Sequence, residues 1–115
     1  MPHIVLEYSQ HIEDQIDVPV LLTSMHEALA AEGVDKSRIK TRGVLLAHSV
    51  VGNDAADIGQ MVHITLLLLE GRDEATKKQY SVPLHKIAKN MIVVKFPNCA
   101  VTLEVRDMEQ ASYIL

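Results

Sequence analysis

Apolar residues recur along this chain in two rhythms, one suited to strands and one to helices. His3-Ile4-Val5-Leu6-Glu7-Tyr8 is apolar and rich in strand formers, and reads as a first strand over residues 3 to 8. Asp17 is placed to cap a helix that tolerates Pro19 in its first turn. Val18, Leu21, Leu22, Met25, Ala28 and Leu29 then follow at spacings of three and four, and the helix ends near Gly33. From Ile39 to Val51 the pattern predicts a second, long strand, closed by Gly52-Asn53-Asp54 and a loop running to Gly59. A third strand covers about Met61 to Leu69, where the unbroken Leu66-Leu67-Leu68-Leu69 implies burial on both faces. Gly71-Arg72-Asp73 breaks the pattern, and Asp73 caps a second helix containing Ala75, Val82, Leu84, Ile87, Ala88 and Met91. Pro83 falls inside that helix and is expected to kink or split it, because it lacks the amide proton and clashes with the preceding turn. Phe96-Pro97-Asn98 turns the chain into a fourth strand from Ala100 to Val105. A short tail carrying Met108, Tyr113, Ile114 and Leu115 follows.

The order is β-α-β twice over, with halves of about residues 1–58 and 59–115. His3-Ile4-Val5-Leu6 is echoed by His63-Ile64-Thr65-Leu66, and Val18-Pro19-Val20-Leu21 by Val82-Pro83-Leu84-His85. The fold class expected is α+β, with duplicated β-α-β units forming a four-stranded mixed sheet that carries two antiparallel helices on one face. The first and third strands are then adjacent equivalents. The other face is too apolar for water and needs cover, which in so small a chain comes from further copies of itself, so a homo-oligomer is expected.

Composition narrows the function classes. A chain of 115 residues suits one compact domain, and with no Trp, three Tyr and one Phe its core is built from Val, Leu, Ile, Met and Ala. A net charge of −4, with basic residues scattered among acidic ones, argues against a nucleic-acid surface. Cys99 is the only cysteine, which fits a reducing cytoplasm. The stretch from Ile64 to Leu69 is far below the roughly 18 apolar residues of a membrane span, so no membrane association is expected.

The candidate chemistry begins at Pro2. Removal of Met1 would leave a secondary amine at the terminus, held by the first strand, and apolar walls or nearby cations would lower its pKa toward the range where a general base works best. Arg72, after Gly71, is the strongest partner, since a guanidinium binds a carboxylate through two parallel bonds and repels a proton from a nearby amine. An arginine at a strand-to-helix turn also commonly serves as a simple cap. Lys40 and Arg42 lie two apart on the predicted second strand and share a face, where they either meet solvent or bind a dianion. Arg38 extends that series but falls in the turn, where solvent exposure is expected. The six histidines show no metal-ligand spacing, Asp54-Ala55-Ala56-Asp57 lacks the ligands of a calcium loop, and no glycine-rich phosphate cradle is present, so metal and nucleotide chemistry are disfavoured. Cys99 has no neighbouring sequence signal that would activate its thiol.

Met1-Pro2-His3-Ile4-Val5-Leu6-Glu7, Ile39-Lys40-Thr41-Arg42, Gly71-Arg72-Asp73 and Leu103-Glu104-Val105-Arg106-Asp107-Met108 together resemble the 5-carboxymethyl-2-hydroxymuconate isomerase family of the tautomerase superfamily. The resemblance spans nearly the whole chain. It implies a duplicated β-α-β fold, a homotrimer with its site near a subunit boundary, no cofactor, and an amino-terminal proline acting as acid and base in bacterial breakdown of aromatic compounds. Carried over by position, Pro2 is the catalytic proline and Arg72 the arginine that engages a substrate carboxylate. A second cationic ligand falls on Lys40 or Arg42. The implied reaction is a 1,3-proton shift converting an unsaturated 2-hydroxy dienol di- or tricarboxylic acid to its 2-oxo isomer. Two other readings stand beside it: another proline-dependent keto-enol tautomerase, and a non-catalytic ferredoxin-like oligomeric module that binds an anion.

Overall fold

Alternation along the first strand, β1 (His3–Ser9), decides the layout of the molecule. Ile4, Leu6 and Tyr8 point to one face and are buried, while His3, Val5 and Glu7 point to the other and are half-buried. The computed structural model describes residues 1–115. Three further strands, β2 (Lys40–Leu46), β3 (Met61–Leu69) and β4 (Ala100–Met108), complete one sheet in the order β2-β1-β3-β4. β1 runs parallel to β2 and antiparallel to β3, and β3 runs parallel to β4. Each half of the chain thus forms a parallel pair joined through a helix, and the two halves meet along β1 and β3.

The helices cover one face. α2 (Val18–Ala31) starts where the Asp17 carboxylate accepts the Val20 N–H at 3.1 Å, and α3 (Glu74–Val93) where Asp73 accepts the Thr76 N–H at 2.9 Å. α2 buries Leu21, Met25 and Leu29, and α3 buries Leu84, Ala88 and Ile92; both rows pack on Ile4, Leu6, Ile64 and Leu66 in one core. None of the helices is long and apolar enough to cross a membrane.

Several elements depart from the sequence reading for identifiable reasons. The second strand stops at Leu46 and not at Val51, because its ladder partner Ser9 ends β1 at that point. Beyond it Asp57, in the left-handed region at φ 65°, accepts the Ser49 N–H at 2.9 Å and contacts His48 Nδ1 at 3.1 Å, closing a loop in place of a ladder. The fourth strand runs on to Met108 because β3 supplies partners as far as Leu69. α3 is not split at Pro83. The proline leaves only the Gln79 carbonyl without its helical partner, and Gln79 faces water, which can solvate it. A single helical turn, α1 (Ile12–Gln15), intervenes before α2 and buries Ile12; four residues are too few to display a period. Of the Leu66–Leu69 run, Leu66 and Leu68 are fully enclosed under the helices, whereas Leu67 and Leu69 are only half-buried on the open face. That face is also less apolar than expected. It presents His3, Lys40, Arg42, Glu7, His63 and Glu104 alongside the aliphatic side chains, and His63 lies 3.7 Å from the Glu104 carboxylate.

Candidate active site

The chain start is fixed by the sheet. Pro2 is buried, and its carbonyl accepts the Lys40 N–H at 3.1 Å, extending the parallel pairing of β1 and β2 to the residue before the strand. Met1 lines a cavity of about 270 Å³ together with Arg38, Leu69, Gln110, Tyr113 and Leu115. The Met1 amine has its pKa lowered, first by burial and then by the positive charges of Arg72, Arg38 and Lys40. Four elements supply these groups: the segment before β1, the short 3-10 turn of Lys36–Arg38, the start of β2, and the corner after β3.

Arg72 is half-buried, and its Nη1 donates to the Leu69 carbonyl at 3.0 Å. Gly71 makes that corner possible, since its φ of 113° is a conformation that side chains with a Cβ rarely adopt. One guanidinium bond therefore closes the end of β3, and the remaining donors stay available.

Arg42 sits elsewhere. It shares the open face with Lys40, but its Nη1 donates to His3 Nδ1 at 2.9 Å, and His3 Nε2 lies 2.9 Å from the Tyr113 hydroxyl with the two rings edge to face. The His3 pKa is lowered by burial first, then by Arg42, Lys40 and the terminal amine. Around the terminus the structure places Pro2, paired through its carbonyl with the Lys40 amide, and the charges of Arg72, Arg38 and Lys40 act on the Met1 amine. Arg72 and Lys40 do not line the cavity, and Arg42 is held on His3. The structure also adds two residues. Arg38 is mainly exposed and contacts Asp35 at 3.6 Å, yet it lines the cavity; its place two residues before Lys40 was the available signal. Tyr113 carried no signal beyond an apolar tail.

Other features lack this chemistry. A larger cavity, about 410 Å³, lies between α3 and β4, but its one ionisable side chain, His85, has Nε2 engaged by the Val101 carbonyl at 2.9 Å. An anion finds its countercharges at the chain start, so the smaller cavity is the better candidate. Burial pushes the Cys99 thiol up, away from nucleophilic use. No group of three or more His, Cys, Asp or Glu side chains comes together in a way that could hold a metal ion.

Solved structures resemble this fold over its full length. A 5-carboxymethyl-2-hydroxymuconate delta-isomerase superposes with a TM-score of 0.83 at 14% identity, covering 100% of this chain and 87% of the other. A 5-carboxymethyl-2-hydroxymuconate isomerase from Deinococcus radiodurans R1 gives 0.83 at 22% identity, covering 99% and 87%. A fused 4-OT wild-type symmetric trimer gives 0.72 at 14% identity, covering 98% and 90%. These likenesses define a tautomerase-like fold, a sheet of duplicated β-α-β units backed by helices on one side. No curated protein matches the sequence. The pattern of the 5-carboxymethyl-2-hydroxymuconate isomerase family matches residues 2–114, and the chain belongs to that family. It is an isomerase.

Proposed function

We propose that the protein catalyses a 1,3-proton shift in an unsaturated 2-hydroxy dienol di- or tricarboxylic acid, giving the 2-oxo isomer, with the Pro2 nitrogen as base and acid once Met1 is removed. The observation supporting this reading is the setting of the chain terminus: the Met1 amine, one residue before the Pro2 nitrogen, has its pKa lowered first by burial and then by the positive charges of Arg72, Arg38 and Lys40. Those charges favour the neutral base and supply countercharge for an anionic substrate. Neutral Pro2 takes the proton of the 2-hydroxyl and returns it to a carbon of the conjugated chain. The O–H bond breaks, the 2-oxo group forms, and a C–H bond forms. Arg72 and Lys40 hold the carboxylates and offset charge on the developing oxyanion. The geometry favours Lys40 over Arg42 for this contact, since Arg42 is engaged with His3. The proposed setting of this reaction is the breakdown of aromatic compounds in the cytoplasm. A homotrimer is the proposed assembly, supported by the likeness to symmetric trimers.

The test is chemical and direct. With Met1 in place the Pro2 nitrogen is a tertiary amide without basicity, so intact mass spectrometry should sort active from inactive preparations. In trimmed protein, Pro2→Ala should lower kcat by roughly a hundredfold or more, the usual worth of a positioned general base, with a smaller change in KM. Equal turnover of 2-hydroxymuconate by trimmed and untrimmed protein would refute the role of Pro2.

A further inference from the structure

Three side chains that the proton shift leaves unused form a continuous hydrogen-bonded line ending in the terminal cavity. Arg42 is donor-only, so His3 Nδ1 must be the acceptor in their 2.9 Å contact. The imidazole is kept neutral by its partly buried position beside Arg42 and Lys40. A neutral ring that accepts at Nδ1 carries its hydrogen on Nε2, and that N–H donates to the Tyr113 oxygen at 2.9 Å. The phenol oxygen is therefore an acceptor toward His3, and its own proton has no acceptor within the protein. Tyr113 lines the cavity beside Met1 and Arg38.

We propose that the Tyr113 hydroxyl is a substrate-contacting hydrogen-bond donor, aimed at an anionic oxygen in this cavity by the line from Arg42 through His3. The inference rests on reading the terminal cavity as the substrate site. Arg42 and His3 are positioning residues, acting through Tyr113. The ligand class is a carboxylate or enolate oxygen, because a hydroxyl already accepting a bond from a chain headed by a guanidinium is polarised toward donation. The tail that carries the ring is anchored independently. The Gln110 N–H donates to the Glu70 carboxylate at 3.0 Å, and the Glu70 N–H donates to the Met108 carbonyl at 3.0 Å. Tyr113 is thus not needed as the only latch for the tail.

The experiment uses full-length trimmed protein, 2-hydroxymuconate as probe, and tyrosine labelled with ¹³C at the ring carbon bearing oxygen. Tyr113→Phe removes only the hydroxyl and should lower kcat/KM by about ten- to a hundredfold, the scale of a bond to a charged group. The Tyr113 resonance should shift on adding the probe. His3→Leu should cause a similar loss, the double variant should be no worse than the poorer single variant, and His3→Gln, whose amide can still donate, should recover part of the loss. A mere tail latch would lower the melting temperature and leave kcat/KM unchanged. Normal parental turnover with Tyr113→Phe within twofold of the parent overturns the contact and leaves the proton-shift reading intact. A parent that shifts the Tyr113 resonance without turnover supports the contact and sinks the reaction. A resonance that never moves overturns the contact in either case.

Discussion

Leu66→Ala tests the packing on which the chain start depends. Leu66 is fully enclosed, faces Ile4 across β1 and Val105 across β4, and belongs to the core beneath the helices. Truncating a leucine in such a position has cost about 2.7–5.0 kcal/mol, the larger values where the cavity cannot collapse. Strands pair on both sides of Leu66 and limit relaxation, so a loss of about 3 kcal/mol is the conservative expectation. For 115 residues, an unfolding entropy of about 2.1 cal/mol/K per residue amounts to about 0.24 kcal/mol/K, and the melting temperature should fall by about 12 °C. Calorimetric melts at one protomer concentration are the assay, since self-association would otherwise shift the midpoint. Leu67→Ala is the built-in comparison: the neighbouring side chain is half-buried and points to the open face. A Leu66→Ala melt within about 3 °C of the parent would refute the packing argument, because no rigidly held, fully buried leucine should be that dispensable. Ile4 follows close behind Pro2 in β1, so the same variant should also loosen the terminus.

Two further outcomes follow from charge. Lys40→Ala and Arg38→Ala each remove a cation that lowers the pKa of the Met1 amine, and the Pro2 amine freed by trimming lies one residue on, so its pKa should rise and the acid limb of the kcat/KM profile of trimmed protein should move to higher pH; an unmoved limb in both would contradict the electrostatic setting. Asp73 has its pKa lowered chiefly by hydrogen bonds from Thr76, side chain first and then backbone, so it stabilises the fold above the ordinary carboxylate pKa of about 4, and this is lost as pH falls through the depressed folded value. Asp73→Ala should therefore melt below the parent at neutral pH and converge with it in acid, as circular dichroism at a series of pH values would record.

What could be read from the sequence was local in origin. Asp17 and Asp73 announce their helices because a cap is a bond between near neighbours, and β1 shows its buried face by simple alternation. The length of β2 was not local information. It is set by where β1 runs out of partners, and the apolar residues after Leu46 mimic a strand without one. Pro83 misleads for a related reason, since its penalty depends on whether water can reach the Gln79 carbonyl. At the site, Pro2, Arg72 and Lys40 stood out as chemical types at distinctive places. Tyr113 did not, because its meaning lies in a contact with His3 from the opposite end of the chain, which no spacing rule encodes. Arg42 was visible as a cation, but its engagement with His3 was not.

β2 is an outermost strand, and in a lone protomer its free side offers unpaired amides and carbonyls beside the exposed Val44 and Leu45. Lys40 and Arg42 are the charges that interrupt this stretch, the usual safeguard against intermolecular strand pairing. Neutralising both would therefore strip a solubility device along with the proposed substrate contact, and turbidity should be monitored before any loss of turnover is assigned to chemistry.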